Sequence, residues 1–386
     1  MTTPTTVLAS VLGADNPVLT GLDASRAATL RGVQQCHDAL FAPGTASATL
    51  AMAERRCLAY EVAESQGSAV MAAHYGTITG DGGAVFAPCR DASVSGRFEE
   101  MVEYVTRAGV QPDDVREQDV AALLADQMSP RDVVVISQIH AFVSYELRLV
   151  SGLQAISLNA GVPLPEVPYA EVDQDPVDLA RLEPREHDFA EEDFGFTTAQ
   201  LRWLPRLPIV DLDTITEEQR VALSLKSGRL DEGAYSRTLA HDPVTLANRA
   251  VLYDMVMYAK GGLDRVEREL AALRVSLING CRYCASVHGR RLAQLTKDDA
   301  WVQRLMTDWS AVELSPLHQA VDALCTALTL VPGTPPVEAV GALHDLGLDA
   351  LELFDLVNVV AMFAWANRLM QTLGNHVLAA PADVSV

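Results

Sequence analysis

Residues 268–288 read RELAALRVSLINGCRYCASVH. Leucines and other apolar residues return every three or four positions up to Ile278, the mark of a helix with one buried face. Asn279-Gly280 is a helix-breaking dipeptide, so that helix ends there and another starts at or near Cys281. On the second helix Cys281, Cys284 and His288 are spaced by three and four. They share a face, with Cys284 and His288 as direct neighbours. A thiol attacks only as a thiolate, and three features favour that form here: the Cys-x-x-Cys spacing, the positive end of a helix, and a nearby imidazole. Glu269 lies on the preceding helix, twelve residues before Cys281, which is not a same-face spacing. It reaches the thiols only if the two helices pack side by side. In that case it can orient and charge His288, and His288 can take the Cys284 proton directly or through water.

Outward from this stretch the chain keeps the helical period. Residues 50–64, 264–278, 285–295, 317–329 and 351–373 all carry it. The β-branched run 133–137 sits inside a longer amphipathic pattern and does not read as a strand. Thr216 to Gln219 spells a capping box, and Ser315-Pro316 puts proline at a first helical position. The sequence predicts an all-α protein. A length of 386 residues suggests two domains. The segment 166–194 holds eleven of the 51 acidic residues against two arginines, as a solvated, proline-containing connector would. The expected division is a helical domain at 1–165, an acidic linker at 166–199 and a second helical domain at 200–386. Residues 194–208 (FGFTTAQLRWLPRLP) should pack their aromatics onto a neighbouring domain. The halves read as diverged copies. Setting His74 against His288 places Gly67 under Cys281, Val70 under Cys284 and Arg55 under Glu269, and residues 132–153 resemble 355–374.

Composition bounds the partners. Hydrophobic residues make up 49% and charged residues 21%, and the formal net charge is -22. Such a surface repels phosphate backbones and anionic lipid heads, so neither nucleic acid nor a membrane is expected as a partner. Residues 1–16 lack the basic start and apolar run of a signal peptide, and no apolar stretch reads as a bilayer span. A cytoplasmic protein is expected, with its six cysteines mostly reduced.

Glutamate, twelve residues, Cys-x-x-Cys and then histidine four further on resembles the carboxymuconolactone decarboxylase-like superfamily, in its alkylhydroperoxidase D (AhpD) branch. The string LRVSLINGCRYCASVHGRRL is similar to the core motif of that branch over its whole length, and GGLDRVERELAAL before it also fits. The resemblance covers about 45 residues closely and implies two AhpD-like repeats, the first degenerate. It implies that Cys284 attacks a peroxide, that Cys281 resolves the sulfenic acid into a disulfide, and that Glu269 and His288 relay protons. The activity implied is (alkyl)hydroperoxide reduction, with an external dithiol or protein reductant and no cofactor or metal. It also implies a homo-oligomer, a trimer before a dimer, since single-repeat members form trimers or hexamers. Tyr283 stands where some members have histidine.

Other readings stay open on the residues alone. Cys-x-x-Cys with histidine is half a zinc site, although no second pair supplies the remaining ligand. Two buried thiols are also ordinary core residues. Acid–base decarboxylase chemistry, or a non-catalytic oligomeric scaffold, would retain the same motif. His318, His344 and Cys325 read as core or surface residues, and Cys36, Cys57 and Cys89 as unremarkable thiols. Phe363 and Trp365 read as core aromatics or the lining of an apolar peroxide pocket. Residues 80–83 (GDGG) read as a turn without the lysine of a phosphate loop.

Overall fold

The computed structural model describes residues 6–42, 50–80, 83–86, 96–126, 128–166, 195–225 and 228–379. Before the acidic segment come α1 (Val7–Leu12), α2 (Pro17–Phe41), α3 (Met52–Ser65), α4 (Ala69–Gly76), β1 (Thr77–Gly80), β2 (Gly83–Phe86), α5 (Gly96–Val110), α6 (Glu117–Ala125) and α7 (Pro130–Asn159). After it come β3 (Leu201–Pro205), α8 (Glu217–Ser224), α9 (Ala234–Leu239), α10 (Pro243–Met257), α11 (Arg265–Ile278), α12 (Arg282–Thr296), α13 (Asp299–Thr307), α14 (Pro316–Leu330), α15 (Val337–Asp345), α16 (Ala350–Thr372) and β4 (Gly374–Leu378). The fold is all-α, with two antiparallel strand pairs, β1 with β2 and β3 with β4. Residues 133–137 are helical, inside α7.

The helix starts follow their local chemistry. The Thr216 hydroxyl accepts from Gln219 N at 3.2 Å while Gln219 Oε1 accepts from Thr216 N at 2.9 Å, and Pro316 opens α14 behind the cap Ser315. Residues 195–208 hold a strand that the sequence did not announce. It runs over 201–205, against the chain's own C-terminal strand. Trp203 lies edge-on to Tyr235 and donates its Nε1–H to Met370 O at 2.9 Å. The pairing partner is over 160 residues away, so no local period announced it. Most of the expected linker, 167–194, lies outside the described residues.

The long helices α7 and α16 pack against one another at the centre of one continuous apolar cluster that includes residues of both halves. Each is long and apolar enough to cross a bilayer, contrary to the sequence expectation, yet both are buried inside the protein. Their approach is close at Gly152, where a Cβ would fall 2.3 Å from Val357 Cγ1. Two hydrogen bonds cross between them. Tyr145 Oη–H donates to Asn358 Oδ1 at 2.9 Å, and Trp365 Nε1–H donates to Gln138 Oε1 at 3.0 Å. Each helix thus offers a ring donor seven residues beyond an amide acceptor, and the contact is reciprocal. Two fully buried arginines repeat the exchange. Arg148 Nη2 donates to Thr329 O at the end of α14, and Arg368 Nε donates to Gly109 O at the end of α5. A guanidinium among the last carbonyls of a helix meets the negative end of its dipole. Burial lowers the pKa of both side chains, that of Arg368 to about 9.

These contacts match α7 to α16 in a register three residues from the one read in the sequence. The α7 cap Ser129 and the α16 cap Asp349 correspond, so Asp132 matches Glu352, each accepting from its own cap N–H. The sequence alignment had set Asp132 against Asp355. Asp355 instead sits deeper, accepting from Arg26, Arg268 and Leu263 N and tying α2 to α11 and α16.

Candidate functional site

Helix α11 ends as its sequence says it must. Gly280 takes a φ of +71°, its N–H bonds to Leu277 O at 3.3 Å, and Cys281 N–H reaches back to Ser276 O at 2.9 Å. That pair of bonds is a Schellman turn, which needs a residue comfortable in the left-handed region. The turn reverses the chain so that α12 lies against α11, with Cys281 at its cap and Cys284 in its first turn. The side-by-side packing that Glu269 required is therefore present.

Glu269 is fully buried, and its Oε2 lies 2.6 Å from His288 Nδ1. Its other oxygen accepts from Arg265 Nε at 2.8 Å. Burial opposes a charge on Glu269, yet bonding and charge from His288 and Arg265 hold it below the usual carboxylate range. The His288 ring meets Phe363 edge to face, with centroids 4.4 Å apart. The histidine is thus oriented from both sides.

Both thiols are buried, Cys281 at 1% and Cys284 at 5% exposure. The Cys281 thiol, hydrogen-bonded to Cys284, pulls the Cys284 pKa down; burial pushes the other way, and the Asn367 side chain and the charge of Arg249 assist the lowering. Burial, with the neighbouring Cys284, pushes Cys281 well up. Cys284 is therefore the member favoured as thiolate and Cys281 the member favoured as thiol. Asn367 is itself fixed, accepting from Asn279 Nδ2 at 3.0 Å and donating to Ser276 Oγ at 3.1 Å.

The structure brings all four expected residues, Cys281, Cys284, His288 and Glu269, into one neighbourhood. It adds three that the sequence reading missed. Asn367 and Arg249 arrive from α16 and α10 with no local signal. Arg265 had one, since it lies four residues before Glu269 on the same helix. Among the described residues no three of His, Cys, Asp and Glu converge as metal ligands would. Cys325 and Cys36 are buried thiols, whereas Cys57 is disulfide-bonded. His318 lies 3.9 Å from Glu267 and against Trp301, and His344 faces Leu348 O at the end of α15.

A turn of the same geometry lies between α3 and α4. Gly67 has φ +73°, Gly67 N–H bonds to Glu64 O, and Ser68 N–H bonds to Ala63 O. Gly67 thus stands at Gly280, one residue off the sequence alignment. Counted from the two glycines, Ser68, Met71 and Tyr75 fall at the sequence positions of Cys281, Cys284 and His288, and Arg56 at that of Glu269. His74 points elsewhere, with Nδ1 3.5 Å from Ser10 Oγ, and burial, with the charges of His37 and Arg56, pushes it down to about 3.

Comparison with known proteins gives three kinds of match. The carboxymuconolactone decarboxylase family pattern matches residues 245–324. The uncharacterized protein YdfG of Bacillus subtilis (strain 168) is 25% identical over 144 residues, which is 36% of this chain and 97% of that one. A structure from Ralstonia eutropha JMP134, titled an alkylhydroperoxidase AhpD core and uncharacterized peroxidase-related protein, is similar at 22% identity and a TM-score of 0.39, covering 44% of this chain and 90% of that one. A peroxidase-related protein from Silicibacter sp. TM1040 is similar at 22% identity and a TM-score of 0.38, covering 47% and 96%. The paired thiols, the histidine and the glutamate all lie inside the segment that is similar to the carboxymuconolactone decarboxylase family.

Proposed function

We propose that the chain is a thiol-dependent hydroperoxide reductase. The observation that supports this most directly is the buried Cys281/Cys284 pair, one thiol held low and the other high, beside the 2.6 Å Glu269–His288 contact. In this reading the Cys284 thiolate attacks the terminal oxygen of a hydroperoxide. The O–O bond breaks, Cys284 becomes a sulfenic acid, and the departing alkoxide takes a proton from His288 to leave as the alcohol. Cys281 then gives up its proton and attacks the Cys284 sulfur. A disulfide forms and the hydroxyl leaves as water. An external dithiol or protein reductant supplies the two electrons and two protons that reopen the disulfide. The reading calls for no metal, haem or flavin.

In the same proposal residues 1–165 are a degenerate copy of the unit, 166–199 connect, and 200–386 carry the chemistry. The YdfG match supports a unit smaller than the whole chain, since nearly all of that relative fits on about a third of it. The test is thiol labelling of reduced protein before and after one equivalent of hydroperoxide. Loss of two reactive thiols, mapped to Cys281 and Cys284, is the expected result. Unchanged labelling overturns the proposal, and muconolactone turnover by a Cys281→Ser/Cys284→Ser variant moves it to acid–base decarboxylation.

A further inference from the structure

A cavity of about 400 Å³ lies on the outer side of the Gly280 turn, between the segment 112–116 of the first half and the turn and β4 of the second. Neither thiol lines it, so it is separate from the site above. Three arginines do line it: Arg116, Arg206 and Arg282. That concentration of positive charge stands out on a chain of net charge -22. Among the described lining residues Asp113 is the one carboxylate, and it lies against the turn, where a Cβ on Gly280 would come 3.1 Å from its Oδ2.

Two of the arginines are built into their walls. Arg206 Nη1 donates to Gln371 O at 2.6 Å and Thr372 O at 3.2 Å. Arg116 Nη1 donates to Asp113 O at 2.6 Å and its Nη2 to Asp114 at 3.3 Å. In each the buried Nε has no partner, and neither does the buried Oε1 of the lining residue Gln371. Burial lowers the Arg206 pKa; the charge of Arg116 lowers it too, while Tyr104, Asp119 and Glu117 raise it. Arg116 is paired with Asp114 at 3.3 Å. The rest of the wall includes the apolar side chains of Phe196, Leu277 and Ile278. The volume is that of a small-molecule site.

We infer that this cavity binds a small organic carboxylate with an apolar body. A guanidinium fork matches the planar carboxylate, and the apolar wall rewards a hydrocarbon group. Inorganic phosphate, hydrated on all sides, gains nothing from Phe196, Leu277 and Ile278. Because Gly280 and Arg282 flank Cys281, the occupant braces the turn that carries it.

The test is calorimetric titration of the full-length protein at low ionic strength with phenylacetate, 2-phenylethanol and inorganic phosphate. Saturable binding of phenylacetate at one site per chain is expected, with the neutral alcohol at least about tenfold weaker. Phosphate should also bind more weakly than phenylacetate. Arg206→Gln and Arg282→Gln should each weaken phenylacetate about tenfold or more. Arg282→Gln, at the first position of α12, carries the test should Arg206→Gln fail to fold. Absence of saturable binding, equal affinity for acid and alcohol, or indifference to Arg282→Gln overturns the inference. Phosphate binding more tightly than phenylacetate overturns the choice of carboxylate. Loss of all binding in 0.5 M sodium chloride, with no preference for the apolar acid, marks a non-specific anion effect and overturns it as well.

Discussion

At the scale of single residues the site divides by where each side chain comes from. Cys281, Cys284 and His288 were legible because one helix turn carries them all, and Glu269 because its place in a motif stood in for a contact that spacing could not prove. Asn367 was not, because it reaches the thiols through packing of α16. Its part can be measured. Asn367→Leu should move the midpoint of pH-dependent Cys284 alkylation upward, because the thiolate loses a donor. The lost bonds to Asn279 and Ser276 should cost about 1–3 kcal/mol of stability, but a purely structural loss would not shift that midpoint. An unmoved midpoint would sink the assignment. Glu146 gives a second prediction away from the thiols. It accepts from Tyr75 Oη–H, its Oε1 has no partner, and burial raises its pKa to about 8 from 4.5. Between those values the folded state holds a proton that the unfolded chain has released. Stability therefore falls as pH rises from about 4.5 to about 8 and levels off above. Glu146→Gln should flatten that decline in urea unfolding. The same slope in parent and variant would show that Glu146 does not cause it.

At the scale of elements the two Schellman turns form a natural pair of experiments. Gly280 and Gly67 share a left-handed backbone, which costs any other residue about 1–2 kcal/mol. A Cβ on Gly67 meets nothing within 4 Å, whereas one on Gly280 comes within 3.1 Å of Asp113 Oδ2. Gly280→Ala should therefore destabilise more than Gly67→Ala, and only the former should disturb alkylation of Cys281. Equal effects would show that Asp113 yields freely. The turn at Gly280 was legible from Asn-Gly, whereas Gly67 reads as part of a helical run. The register between them was not legible, because sequence matching gave His74 more weight than the glycine that the backbone requires. The strands β3 and β4 were missed for a related reason, since each is short and its partner is distant.

At the scale of the whole molecule the proposed division of labour can be tested by histidines. His288→Ala should reduce peroxidase turnover by about 10²–10⁴, the usual range for a proton-transfer group. His74→Ala, which removes contacts with Ser10, His37 and Tyr75, should change stability while leaving turnover per folded molecule within a few-fold of the parent. Equal losses in well-folded protein would refute the division into one active and one structural half. Assembly belongs here too. We propose a homotrimer, with a dimer next. The side chains of Val221, Leu225, Val244 and Val251 on and beside α8 and α10 remain exposed as an apolar row that a neighbouring copy would cover. Light scattering at micromolar concentration should give a multiple of the 41.6 kDa chain, and a monomer would rule both states out.

The reciprocal contact of α7 and α16 has a consequence for how such a protein can change. Between separate identical subunits a contact of this kind dissolves on dilution, and every substitution in it appears twice. Here both sides belong to one polypeptide, so the contact persists at any concentration. Each position can also vary alone. Tyr145 opposite Asn358 and Trp365 opposite Gln138 solve one geometric problem with two different pairs. In the proposed two-copy reading, the same independence leaves one half at liberty to keep its turn and lose its thiols.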